Sequence, residues 1–90
     1  MAPAEALEMP DALDYIMHAF RRRETPVTVK IKGVRSSATV ERELRRTLVE
    51  RLRSFLPKER LDRFCETVKV ELHAVERDGN WYDVFARRYD

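Results

Sequence analysis

Two glycines, one cysteine and two histidines are all that ninety residues contain of the types on which much active-site chemistry is built. Gly33 and Gly79 stand far apart, so no glycine-rich loop can cradle a phosphate. A lone cysteine, Cys65, closes no disulfide within the chain, which fits a reducing compartment. His18, His73 and Cys65 lack the paired spacing of a metal site. Their expected roles are structural or solvated, and Cys65 reads as a small buried hydrophobe. Long apolar runs are missing too, which excludes a bilayer-spanning segment. The start, MAPAEALEMPD, has neither the basic opening nor the apolar stretch of a secretory signal, so the cytoplasm is the expected location. Carboxylates are plentiful, but each has basic neighbours on a face expected to be exposed. Paired catalytic acids need a cleft that raises one pKa. The expectation is a non-enzyme with no catalytic residue, metal or cofactor.

What is present describes a folded domain. At 43% hydrophobic and 38% charged, the chain has the composition of a globular protein, and its length allows one core. Residues 1–9, bracketed by Pro3 and Pro10, read as a flexible tail, leaving 10–90 as a single α/β domain. The net charge of +2 hides an uneven layout. Residues 1–20 hold four acids and no base, 21–60 hold thirteen bases against five acids, and 61–90 hold five bases against seven acids. A basic middle between acidic ends suggests a polyanion or an acidic protein as partner, with neutralisation by the chain's own ends as the alternative.

Periodicity predicts the elements. From Pro10, a residue suited to a first helical turn, Leu13, Ile16, Met17 and Phe20 recur at helical spacing. Asp11 and Asp14 suit the helix start and Arg21, Arg22 and Arg23 its end, with Pro26 as the stop. PVTVKIKGV alternates, with Val27, Val29 and Ile31 on one face and Thr28, Lys30 and Lys32 on the other. Ser36, Ser37 and Thr39 all offer a cap to a long helix from about Thr39 to Leu56. Its core stripe is Val40, Leu44, Leu48, Leu52 and Phe55. PKERLDRF reads as a short helical turn with Lys58–Asp62 and Glu59–Arg63 pairs. TVKVELHAV alternates again, placing Val68, Val70, Leu72 and Ala74 together, and RDGN predicts a hairpin into WYDVFARRY. A three-residue loop would turn Tyr82, Val84 and Ala86 to the core, and a two-residue loop would turn in Trp81, Phe85 and Tyr89. The first is the expectation. The predicted class is α+β: an N-terminal helix, then β-α-β-β, with a three-stranded mixed sheet and the long helix on one face. The mixed sheet follows from placing the first two strands side by side and parallel.

TVERELRRTLVERLRSFL, residues 39–56, concentrates five arginines and three glutamates. On a helical wheel Arg42, Arg46 and Arg53 fall within about 40° of one another, away from the core stripe. Glu43 and Glu50 lie near enough to pair with Arg46 and Arg53. Arg45 and Arg51 edge the buried face. A guanidinium row of this kind grips phosphate well, although fourteen arginines to four lysines shows that the preference runs through the whole chain.

Taken together, VTVKIKGV, ATVERELRRTLVERLRSFLP and VKVELHAVERDGNWYDVFARR resemble the start of the ribosome hibernation-promoting factor family over residues 26–88. The resemblance implies binding to ribosomal RNA of the small subunit and regulation of translation, with Lys30, Lys32, Arg42, Arg46 and Arg53 facing the RNA. That family continues with a fourth strand and a second long helix, whereas here the additional helix comes first. Aromatic stacking surfaces are common in RNA recognition, and Trp81, Phe85 and Tyr89 would serve if the hairpin register exposes them. The second reading is a protein-interaction or homodimerising module that uses the Leu13/Ile16/Met17/Phe20 face or a free sheet edge.

Overall fold

The computed structural model describes residues 5–54 and 69–89. In order they form α1 (Met9–Arg22), β1 (Val27–Lys32), α2 (Ser37–Ser54), β2 (Lys69–Arg77) and β3 (Trp81–Tyr89). The predicted turn over PKERLDRF, the residues Phe55, Leu56 and Val68, and Cys65 lie outside the described residues.

α1 begins with Pro10 in its first turn and ends through backbone geometry rather than at Pro26. Arg23 takes a left-handed conformation (φ 58°). The Arg23 and Glu24 N–H groups turn back to the carbonyls of Phe20 and Ala19, closing the carbonyl end of the helix. Leu13, Ile16, Met17 and Phe20 are buried with Ala12 and Ala19. The stripe offered above as a partner face therefore belongs to the protein's own core. Of the stretch expected to be a flexible tail, residues 5–9 are described. Leu7 bridges Ile31 in parallel, exchanging hydrogen bonds with Lys30 and Lys32, and Leu7 and Met9 pack against the core.

Of the three candidate caps, Ser36 starts α2: its Oγ accepts from the Thr39 N–H at 3.2 Å and its carbonyl from Val40. Val40, Leu44, Leu48 and Leu52 are buried, as their spacing predicts. The three-residue loop is also as expected. Asp78 and Gly79 both take positive φ, β2 and β3 pair from Arg77↔Trp81 to Lys69↔Tyr89, and Tyr82, Val84 and Ala86 enter the core.

The sheet departs from expectation in its order, β1-β3-β2, which makes it wholly antiparallel rather than mixed. β1 and β2 do run in the same direction, but β3 lies between them and pairs with both. The reason lies in the alternation of β3. It is the strand with large apolar groups on both faces, Tyr82 and Val84 on one and Trp81 and Phe85 on the other. A central position gives both faces neighbours on each side. The outward positions of β1 and β2 carry mostly polar groups, which tolerate an edge. Both helices cover the same face of the sheet, α1 over β1 and α2 over β2, and they touch each other. An Arg51–Asp14 ion pair links the two helices, and the Arg88 side chain, on the helix side of the sheet, donates to the Phe20 carbonyl at the end of α1. Burial, and after it the Arg23 charge, lowers the Arg88 pKa from its ordinary value.

Candidate nucleic-acid interface

With both helices on one side, no described element covers the other face of the sheet. The register that buries Tyr82, Val84 and Ala86 sends the alternate residues of β3 onto that face: Trp81, Asp83, Phe85, Arg87 and Tyr89. β1 adds Thr28, Lys30 and Lys32 on one flank, and β2 adds Glu71, His73, Val75 and Arg77 on the other. Read across the strands, the rows are Lys32–Trp81–Arg77, Lys30–Asp83–Val75 and Thr28–Phe85–His73. Trp81 and Phe85 are half-buried, and Tyr89 and Val75 are 44% and 48% exposed. Successive aromatic residues on β3 stand about 13 Å apart, four residues of extended strand.

Each ring is held by a neighbour. The Lys30 ammonium sits 5.1 Å from the centre of the Trp81 ring and the Arg87 guanidinium 5.2 Å from that of Tyr89. His73 lies beside Phe85, with ring centres 6.0 Å apart. The Tyr89 hydroxyl donates to Glu71 at 2.8 Å, and the other Glu71 oxygen meets His73 Nε2 at 3.0 Å. The His73 contact first, and the Tyr89 bond second, lower the Glu71 pKa from its ordinary value. Among the described side chains, four cations, Lys30, Lys32, Arg77 and Arg87, stand on this face against Asp83 and Glu71. Lys32 also contacts Glu8 at 3.4 Å.

The five basic residues picked out by sequence do not form one surface. Lys30 and Lys32 lie on the open sheet face, whereas Arg42 and Arg46 are exposed on the outer side of α2, beyond the core. The two arginines line a 220 Å³ depression with Thr39 and Glu43. Among the described residues neither has an ion-pair partner, and Glu43 pairs with Arg35 instead of Arg46. Arg53 belongs to α2, and its side chain lies outside the described residues. Arg45 and Arg51 have other tasks. Arg51 pairs with Asp14, and Arg45 donates to the Val70 carbonyl at 2.8 Å.

The Arg45 bond is half of a device that sequence reading missed. One helical turn earlier, Glu41 accepts from the Ala74 N–H at 2.8 Å, so the two side chains bind the outer backbone edge of β2. Leu7 covers part of the outer edge of β1 in the same sense. Both edges expected to be free for pairing are thus partly occupied. Asp83, Arg77 and Arg87 were also missed. The signal for them was the strand alternation itself: for Arg77 that of β2, and for Asp83 and Arg87 that of β3, which assigns them to the open face only once the loop length is known. No helix among the described residues is long and apolar enough to cross a membrane. No protein-family model, curated protein or solved structure matches the chain.

Proposed function

We propose that the protein is a small, non-catalytic RNA-binding domain with a regulatory role, and that it binds through the open sheet face rather than through the arginine row of α2. One observation carries the reading: the adopted hairpin register places Trp81, Phe85 and Tyr89 on a face that no described element covers and surrounds them with Lys30, Lys32, Arg77 and Arg87. Bases of an unpaired strand stack on aromatic rings while cations track the phosphates. Lys30 already occupies the Trp81 ring, but magnitudes favour the base. An exposed cation–π contact contributes about 0.5–1 kcal/mol, against about 1–3 kcal/mol for a stacked base. A stacked base would turn the Lys30 ammonium from the ring toward the phosphates. Unpaired loops of structured RNA, such as those of the ribosome that the hibernation-factor resemblance implies, present bases in this form.

Fluorescence anisotropy with a short single-stranded RNA, at low and at physiological salt, tests the proposal. Trp81→Ala and Phe85→Ala should each weaken binding by about 1–3 kcal/mol. Replacing Lys30 and Lys32 with Gln should flatten the salt dependence by about one unit per lost phosphate contact. The Arg42, Arg46 and Arg53 triple replacement with Gln should leave affinity nearly unchanged. The reverse pattern, with the arginine variant losing binding and the aromatic variants keeping it, would move the interface to α2. A wild type that binds no RNA but sediments as a dimer, and a Trp81→Ala variant that sediments as a monomer, would establish the protein-interaction reading instead. In that reading two open faces pack together.

A further inference from the structure

A carboxylate at the centre of a surface meant for phosphates is out of place on charge grounds. Asp83 occupies that position: it is the middle outward residue of the central strand, between Trp81 and Phe85, with Lys30 opposite on β1 and Val75 opposite on β2. Its side chain is 42% exposed, and its one ion pair among the described residues, to Arg77, is 3.7 Å long. That distance is longer than a hydrogen bond, and an exposed pair of this kind contributes about 0–1 kcal/mol. Neither stability nor phosphate attraction accounts for an acid here.

An ionised carboxylate is an acceptor only, with two oxygens side by side. A base whose neighbours stack on Trp81 and Phe85 would lie over Asp83 and present its pairing edge to those oxygens. The four bases differ sharply there. Guanine offers two adjacent donors, the N1–H and the exocyclic N2–H, which match the two oxygens. Adenine and cytosine each offer one exocyclic donor beside a ring-nitrogen acceptor, and uracil offers one N–H between two carbonyls. Each of these three therefore sets at least one acceptor against the carboxylate. We propose that Asp83 makes the open face selective for guanine in single-stranded nucleic acid, reading the N1–H and N2–H edge between the Trp81 and Phe85 stacking positions. The proposal rests on the sheet-face reading above and adds a base preference to it.

The test uses the full chain and short oligouridine probes, unmodified or carrying one central guanine, inosine or adenine, with a matched DNA series beside the RNA series. Bidentate recognition of a base edge discriminates by about 1–3 kcal/mol, so guanine should bind about 5- to 150-fold more tightly than adenine at the same position. Inosine, which keeps N1–H and lacks the N2 amine, should fall between them. Asp83→Asn should weaken the guanine probe while leaving plain oligouridine unchanged or stronger, because it removes a charge that repels phosphate. A residue with a merely structural role would weaken every probe alike. Equal affinity for guanine and adenine probes in the wild type overturns the guanine assignment and leaves the sheet-face reading standing. So does an Asp83→Asn variant that keeps the preference. If no probe binds, both readings fall. The same ordering in the DNA series assigns the preference to the base edge and not to the sugar.

Discussion

Tyr82 is the largest fully buried side chain, and its surroundings explain two neighbouring features. A Cβ at Gly33 would lie 2.9 Å from the Tyr82 ring, so glycine at that position lets β1 leave the sheet past the ring. The hydroxyl is buried, and no described residue hydrogen-bonds it. An unsatisfied buried donor costs about 1–3 kcal/mol. Tyr82→Phe should accordingly leave stability unchanged or raise it by up to about that amount in equilibrium denaturation. A clear loss would show that the hydroxyl has a partner after all. Glu71 gives a second single-residue test. Its folded pKa lies below the ordinary carboxylate value, so its contribution to stability is present above the unfolded pKa and is lost as pH falls through the lower folded value. Tyr89→Phe removes one of the two hydrogen bonds responsible and should move the Glu71 midpoint upward in a carboxyl-carbon NMR titration. An unmoved midpoint would leave His73, with the Arg87 charge, as the cause.

α2 carries three distinct tasks on one cylinder, separated by helical periodicity. Its inward stripe fills the core, its Glu41–Arg45 turn seals the β2 edge, and its outer flank displays Arg42 and Arg46. Leu48 is central to the first task and is fully buried. Leu48→Ala should cost about 2–5 kcal/mol, the range for a large-to-small change in a packed core. A loss below about 1 kcal/mol in denaturant titration would contradict the packing of α2 on the sheet. The stripe was legible in the sequence because a 3.6-residue period is a local property. The edge seal was not, because it depends on where a strand distant in sequence ends up. Glu41 and Arg45 read along the chain as two more members of a charged helix. Only beside β2 do they become backbone partners for Val70 and Ala74.

At the scale of the molecule, two helices lie on one face of a three-stranded sheet, no described element covers the other face, and charge divides between the two outsides. Lys30 and Lys32 go with the aromatic residues, and Arg42 and Arg46 go to the far side. A flat ligand can engage one group or the other, which is why the proposed tests separate them. The order and type of the five described elements, the buried stripes of α1 (Leu13, Ile16, Met17, Phe20) and α2 (Val40, Leu44, Leu48, Leu52), the inward residues of β3 and the three-residue hairpin could be read from local patterns, with α2 and β2 displaced by about two residues. Alternation and helical spacing act within a few residues, and Asp-Gly sets its own turn. Strand order could not be read that way. It turns on which strand has apolar groups on both faces and must sit centrally, a comparison among segments far apart in the chain. β3 won that position, and with it Trp81, Asp83, Phe85 and Tyr89 came to the middle of the open face, flanked by cations from two other strands. Composition supplied the arginines, lysines and aromatic residues. Packing determined which of them share a surface, because burying Tyr82, Val84 and Ala86 on one side of a pleated strand obliges their neighbours to face the other.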